Sequence, residues 1–117
     1  MKIPGPTAEA AKRFQELVPS DGRVSVRKMF GQPSAFVNGN LFMGVFGPDL
    51  FVRLSKGSES PAERPEGARA FEPMPGRPMR GYFVLPAETL RTDRKAKEWV
   101  ARALEFGGRL PPKKPGR

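Results

Sequence analysis

Hydrophobic residues recur at helical spacing near both ends of the chain. The first stripe begins just after Thr7, a residue type that favours helix N-caps, and predicts a helix from Thr7 to about Val18. A second stripe predicts a helix that Thr92 or Asp93 caps and that Gly107-Gly108 ends. The apolar positions are Ala10 or Ala11, Phe14, Leu17 and Val18 in the first helix, and Ala96, Trp99, Val100, Ala103 and Leu104 in the second.

Between these helices the apolar residues alternate with a period of two, which is typical of strands. Asn38-Gly39 is the strongest hairpin signal in the chain, because both positions of such a turn need positive φ. Gly47-Pro48-Asp49 indicates another tight reversal. The predicted strands cover residues 24–30, 35–37, 41–46 and 50–54, a short pass that begins near Ala70-Phe71, and residues 80–85.

These elements predict the fold class and the extent of the domain. We expect an α+β fold, an antiparallel β-sheet meander of about five or six strands with an N-terminal and a C-terminal helix packed on it. A chain of 117 residues suits one domain, which we place at residues 1–108. Residues 109–117 contain three prolines and four cations and predict a disordered basic tail. Residues 55–69 predict a surface excursion.

Both faces of the predicted central strands are apolar, although two helices can cover only one of them. The other face needs the 55–69 excursion, a second copy of the chain or a different protein to cover it. If exposed, it would be a partner-binding surface with three phenylalanines at its centre and three cations at its rim. These candidate contacts are Phe42, Phe46 and Phe51, with Arg27, Lys28 and Arg53.

The first predicted strand ends in Arg-Lys-Met-Phe-Gly at residues 27–31 and places a lysine among apolar neighbours. Strict alternation puts Lys28 on the same face as Val26 and Phe30. Burying an unpaired ammonium is costly, so either the side chain reaches the sheet edge or a bulge turns it outward. Lys28 is then an ordinary charge at a strand end, or Arg27 and Lys28 together offer a paired cationic contact to a partner.

The charge of the chain is strongly positive. There are 21 Lys and Arg residues against 12 Asp and Glu, a formal net charge of +9. Such a surplus favours anionic partners, and its ordinary alternative is solubility. The tail supplies the candidate nucleic-acid contacts, for which we expect weak binding that does not depend on base sequence. These residues are Arg109, Lys113, Lys114 and Arg117.

Several chemistries are excluded by composition. The chain has no histidine and no cysteine, so a Ser-His-Asp site, a thiolate nucleophile and a thiolate metal site cannot form. No phosphate-binding glycine motif follows a predicted strand. We therefore expect a protein that is not an enzyme and that has no cofactor or metal. The absence of cysteine suits the cytoplasm, and no apolar run approaches the length of a membrane span or signal peptide.

Taken together, several of these segments resemble the N-terminal domain of the TfoX/Sxy family over about residues 14–106. Gln32-Pro33-Ser34 stands where the family usually continues with glycine and an aromatic residue. The resemblance rests on residues 27–31, Phe36 before Asn38-Gly39, Phe42, residues 50–54, Met-Arg-Gly-Tyr-Phe-Val-Leu-Pro at 79–86 and Glu-Trp-Val-Ala-Arg-Ala-Leu at 98–104.

The resemblance implies an antiparallel sheet flanked by helices and a link to competence regulation through gene activation. It supplies no established catalytic residues, and the chain resembles the stand-alone form of the family. We therefore expect a cytoplasmic regulatory or adaptor domain that contacts an unidentified regulatory protein. Self-association as a homodimer is one alternative mode of contact. The alternative function is auxiliary nucleic-acid binding through the tail.

Overall fold

The computed structural model describes residues 5–56 and 63–113. Its six strands form one antiparallel sheet in the order β1-β2-β3-β4-β6-β5, with helices packed on one face. The α+β prediction is confirmed. The elements are α1 (Ala8–Leu17), β1 (Val24–Met29), β2 (Gln32–Val37), β3 (Asn40–Phe46), β4 (Asp49–Arg53), β5 (Arg69–Ala70), β6 (Tyr82–Val84), α2 (Ala87–Arg91) and α3 (Asp93–Arg109).

Both long helices form where the apolar stripes predicted them. Thr7 caps α1 as expected, because its hydroxyl oxygen accepts a hydrogen bond of 3.1 Å from the backbone nitrogen of Ala10. Helix α3 buries Ala96, Val100 and Ala103 against the sheet, whereas Trp99 lies half-buried at the margin of this contact. The short helix α2 after Pro86 was not predicted. No helix in the described part of the chain combines the length and apolarity needed to cross a bilayer.

Helix α3 continues through Gly107-Gly108, where we predicted its end. Gly107 is buried in the contact with β2, and a Cβ atom on it would lie 2.7 Å from Cγ1 of Val37. A close approach to the sheet, not a helix stop, therefore accounts for this glycine. The helix ends at Arg109, with Leu110 as its C-cap.

The residues that follow α3 return to the turn between β2 and β3. The backbone nitrogen of Lys113 donates to the carbonyl of Asn38 over 2.8 Å, and Nδ2 of Asn40 donates to the carbonyl of Pro111 over 3.1 Å. We call residues 110–113 the C-terminal strap. The prediction of a disordered tail from residue 109 is wrong up to residue 113, because the helix and these hydrogen bonds hold that part in place. The rest of the predicted tail lies outside the described residues.

A β-bulge in β3 changes which residues face the helices. Phe36 pairs with Leu41 and Ala35 pairs with Met43, so Phe42 is an extra residue on β3. Phe42 and Met43 consequently both belong to the helix-side core, together with Val45. Strict alternation had placed Phe42 opposite Met43, and that part of the prediction is wrong.

The opposite face of the sheet has its own apolar cluster. Phe51 and Tyr82 project from β4 and β6, and Phe71 and Met79 from the β5–β6 segment pack against them. Backbone hydrogen bonds hold this segment, with Phe71 donating to Tyr82 over 3.0 Å and Met79 donating to Phe71 over 2.8 Å. Among the described residues, Phe71 and Met79 therefore cover Phe51. They come after the 55–69 excursion, which was one of the three covers that we predicted for this face.

Candidate interaction surface at the β1 edge

The three predicted contact phenylalanines do not share an exposed face. Phe42 and Phe51 are buried, at 0% and 1% exposure, and lie on opposite sides of the sheet. Only Phe46 is half-buried and reaches the surface. The predicted apolar surface centred on these three side chains is therefore wrong, since the bulge at Phe42 and the stacking partner of Phe51 withdraw two of them. Homodimer formation itself stays a prediction.

An aromatic row connects the buried cluster to the surface. The rings of Phe51 and Phe71 stack with centroids 4.1 Å apart, and Phe71 meets Phe46 edge-on at 5.4 Å. Phe46 in turn meets Phe30 edge-on at 6.2 Å. Phe30 is 49% exposed and ends the row at the turn between β1 and β2. The row therefore holds one aromatic side chain at the surface on a rigid support.

The backbone of Phe30 is unusual for its side chain. Phe30 and Gly31 have φ values of 58° and 75°, so both central residues of this two-residue hairpin have positive φ. Asn, Asp and Gly are the residues that tolerate the first of these positions. A bulky side chain there costs on the order of 1–2 kcal/mol. Because the ring is half exposed, its burial compensates little of this cost.

Strand β1 forms one edge of the sheet, and its four central residues are exposed. Helices α1 and α3 pack on β2, β3 and β4, whereas on β1 only Val24 is packed against the helix-side core. Strands lie about 4.8 Å apart and helices about 10 Å apart, so two helices cover roughly four strands of a six-stranded sheet. Val26 is consequently 53% exposed, although it lies on the helix side of the sheet with Val24. An edge of this length is open to pairing with another strand.

Arg27 and Lys28 lie next to each other on this edge and project to opposite faces. The Arg27 guanidinium lies 4.1 Å from the centroid of the Phe36 ring, on the face opposite the helices. Lys28 is exposed on the helix side, and its pairing with Pro33 continues the regular register of β1 and β2. Lys28 therefore needs neither a bulge nor a long path to the sheet edge to reach solvent, because no helix packs over this part of β1.

Arg53 lies on β4, three strands away from β1, and does not form a rim with the other two cations. Its guanidinium is 5.3 Å from the Tyr82 ring centroid and 5.5 Å from that of Phe106. Its Nε donates to the carbonyl of Ser55 over 3.3 Å. Burial raises the pKa of Tyr82, and the nearby positive charge of Arg53 opposes that rise. Arg53 therefore belongs to the packing between the sheet and the end of α3.

The predicted tail cations are also separated from β1. Arg109 forms an ion pair of 3.1 Å with Glu105 on the exposed side of α3. Lys113 is exposed in the C-terminal strap, where its backbone binds Asn38. Lys114 and Arg117 lie outside the described residues. Among the residues that are described, no group of three or more acidic side chains is arranged to hold a metal ion.

Phe30 was not among the predicted contacts and was predicted only as the end of a strand. A signal was present, because Phe30-Gly31 separates two strand-like runs by two residues, as Asn38-Gly39 does. Phenylalanine hid this signal because it is rare at such a turn. The site that the structure supports is the outer edge of β1 with the Phe30-Gly31 turn at its end. We call this site the β1 edge.

The chain matches one known protein family over most of its length. The family model of the TfoX N-terminal domain matches residues 14–107. These residues run from the middle of α1 almost to the end of α3 and include the β1 edge. No curated protein and no solved structure matches the chain.

Proposed function

Because the chain belongs to the TfoX N-terminal domain family, we propose that it is a non-enzymatic cytoplasmic regulatory or adaptor domain that binds another protein through the β1 edge. The family resemblance supports a role for this domain in the transcriptional regulation of competence. The β1 edge is suited to non-covalent binding, because it offers an exposed aromatic ring, the outer edge of a strand and two cations.

The main support for this proposal is that Phe30 is exposed in a backbone conformation that disfavours phenylalanine. Its positive φ of 58° disfavours phenylalanine, and its 49% exposure limits what the ring contributes to the core. Exposed aromatic side chains held on rigid elements are frequent anchors in protein interfaces. The edge-on contact with Phe46 restricts the ring, so a partner would order little additional side-chain entropy on binding.

A quantitative pull-down from the native cell extract tests the proposal with three proteins. The wild type and Phe30→Tyr both present an aromatic ring at the turn, whereas Phe30→Asn removes the ring and introduces a residue that tolerates positive φ. We expect the wild type and Phe30→Tyr to capture the same partner, and Phe30→Asn to lose it at an equal or higher melting temperature. Equal capture by all three proteins, or no specific capture by the wild type, would contradict the proposal.

Auxiliary nucleic-acid binding is the second candidate, and the net charge of +9 favours it. Truncation after Lys113 tests it while keeping the hydrogen bonds of the C-terminal strap. Weaker binding of single-stranded DNA at low salt, with an unchanged melting temperature, would support a role for the last four residues. Unchanged affinity after this truncation would contradict binding through Lys114 and Arg117.

A further inference from the structure

We propose that the outer edge of β1 binds an extended acidic segment of a partner protein as an additional antiparallel strand. This inference rests on the proposed function, because it specifies how the partner would be held. In this mode backbone hydrogen bonds between strands supply much of the affinity, and alternate side chains supply specificity.

The pairing of β1 with β2 shows which backbone groups of β1 point outward. The nitrogen of Asn38 donates to the carbonyl of Arg23 over 3.1 Å, and Val24 is aligned with Val37 in the next pair. Hydrogen-bonded and non-hydrogen-bonded pairs alternate along an antiparallel ladder. Ser25, Arg27 and Met29 therefore direct their backbone groups toward β2, whereas Val24, Val26 and Lys28 direct theirs outward.

The outward groups form a usable strand edge. The nitrogen of Val24 is occupied by a bond of 2.9 Å to the carbonyl of Asp21. Within residues 5–56 and 63–113, nothing bonds the outward nitrogen and oxygen of Val26 or of Lys28. These two residues lie roughly 7 Å apart along the strand, which is the repeat of hydrogen-bonded pairs between antiparallel strands. The opposite edge of the sheet, β5, has only two residues, so β1 is the longer template.

Charge favours an acidic partner over a second copy of this chain. Basic residues on an edge strand discourage pairing with another basic strand. Two copies would each carry a formal net charge of +9 and would bring the cations of both β1 strands to one junction. An acidic segment instead places carboxylates opposite Arg27 and Lys28. The positive charge of these two residues also raises the rate at which such a segment associates with the edge.

The side chains of β1 specify a pattern for the bound segment. Read from its N-terminus, an antiparallel partner meets Lys28, Arg27, Val26, Ser25 and Val24 in turn. Opposite charges and apolar contacts across strands are favourable. The expected order is therefore acidic, acidic, apolar, any residue, apolar.

A labelled peptide with the core Glu-Glu-Val-Thr-Val tests this inference on the wild-type protein by fluorescence anisotropy. Its first valine would pair with Val26 and point its amide at β1, whereas its threonine would point its amide away. We expect N-methylation of that valine to weaken binding at least tenfold and N-methylation of the threonine to leave the affinity nearly unchanged. Equal effects of both modifications, or no binding of the unmodified peptide, would overturn the inference.

A charge exchange tests the same register. The double variant Arg27→Glu, Lys28→Glu should lose the glutamate peptide by tenfold or more and gain affinity for the matched peptide Lys-Lys-Val-Thr-Val. The control is Lys95→Glu, Lys97→Glu, which makes the same change of charge at exposed positions of α3. Equal loss with the control variant would show that net charge alone governs binding and would overturn the inference.

The two proposals can fail separately. If no acidic peptide adds to β1 while capture in the cell extract still depends on Phe30, the adaptor function stands and the strand-addition mode is wrong. If the peptide binds as predicted but Phe30→Asn captures the same partner as the wild type, strand addition stands and the role of Phe30 is wrong.

Discussion

The two hairpin turns at the ends of β2 have nearly the same backbone conformation and very different surroundings. Asn38-Gly39 has φ values of 51° and 84°, and Phe30-Gly31 has φ values of 58° and 75°. Asparagine suits the first position of such a turn, whereas phenylalanine does not. The same conformation is therefore favoured by its local sequence at one end of β2 and opposed by it at the other.

The surroundings of the turns explain the difference. The C-terminal strap binds the carbonyl of Asn38 and passes so close to Gly39 that a Cβ atom would collide with the backbone of Lys113. At Gly31, no described residue beyond its two chain neighbours has an atom within 4 Å of the corresponding position. The Asn38-Gly39 turn is thus packed against the C-terminal strap. The Phe30-Gly31 turn instead projects a half-exposed aromatic ring toward solvent. The residue that its backbone conformation disfavours therefore lies at the more exposed of the two turns.

The largest expected effect concerns the two glycines. Gly39→Ala should lower the free energy of unfolding by about 2 to 4 kcal/mol, because it combines the cost of a left-handed alanine with displacement of the strap. Gly31→Ala should lower it by only about 1–2 kcal/mol, the conformational part alone. Urea denaturation of the two variants and the wild type measures both values.

A double-mutant comparison sharpens that test. In a chain truncated after Arg109 the strap is absent, so the cost of Gly39→Ala should fall to that of Gly31→Ala. If Gly39→Ala remained the more costly variant after truncation, the strap would not explain the difference between the turns.

Exchanging the first residues of the turns should give opposite effects. Phe30→Asn should raise the free energy of unfolding by about 1 kcal/mol, because asparagine tolerates the left-handed region. Asn38→Phe should lower it by about 1–2 kcal/mol for the same reason. Thermal unfolding by circular dichroism checks both signs. A clear loss of stability in Phe30→Asn would mean that the edge-on contact with Phe46 outweighs the backbone cost.

A smaller effect is expected in the middle of β2. The hydroxyl oxygen of Ser34 is buried and has no hydrogen-bond partner among the described residues. Ser34→Ala should therefore raise the free energy of unfolding by roughly 1 kcal/mol or less, since the variant no longer buries an unpaired hydroxyl. Ser25→Ala, at an exposed position of β1, is the control and should change little. Destabilisation by Ser34→Ala would show that this hydroxyl has a partner in solution.

The smallest predicted effect is a pH dependence near the Asn38 end of β2. Hydrogen bonds from Arg23 lower the pKa of Asp21 from 3.8 to about 2. A carboxylate with a lowered pKa contributes its stability fully above its ordinary value and loses it as the pH falls toward the folded value. The melting temperature of the wild type should therefore fall slightly more than that of Asp21→Asn between pH 3.8 and about pH 2. Parallel curves for the two proteins would contradict this assignment.

Local patterns predicted most of the fold. Thr7 and the stripe after it predicted α1, Asn38-Gly39 predicted the β2–β3 hairpin, and both are confirmed. The same patterns failed where a residue's environment depends on distant segments. Gly107 continues α3 because Val37 lies against it, and Phe42 changes face because β3 carries a bulge. The candidate site was predicted in part, since Arg27 and Lys28 do lie on the exposed edge but Phe42, Phe51 and Arg53 do not.

By itself the sequence determined the fold class, the sites of the long helices and the exclusion of histidine and cysteine chemistry. These properties depend on periodicity, turn preferences and residue identity, which act over a few neighbouring positions. Only the tertiary structure decided which face Phe42 takes, what covers Phe51 and why Lys28 is exposed on β1. The physical reason is geometric, because two helices are too narrow to cover six strands. The uncovered strand is visible only when all the elements are placed together.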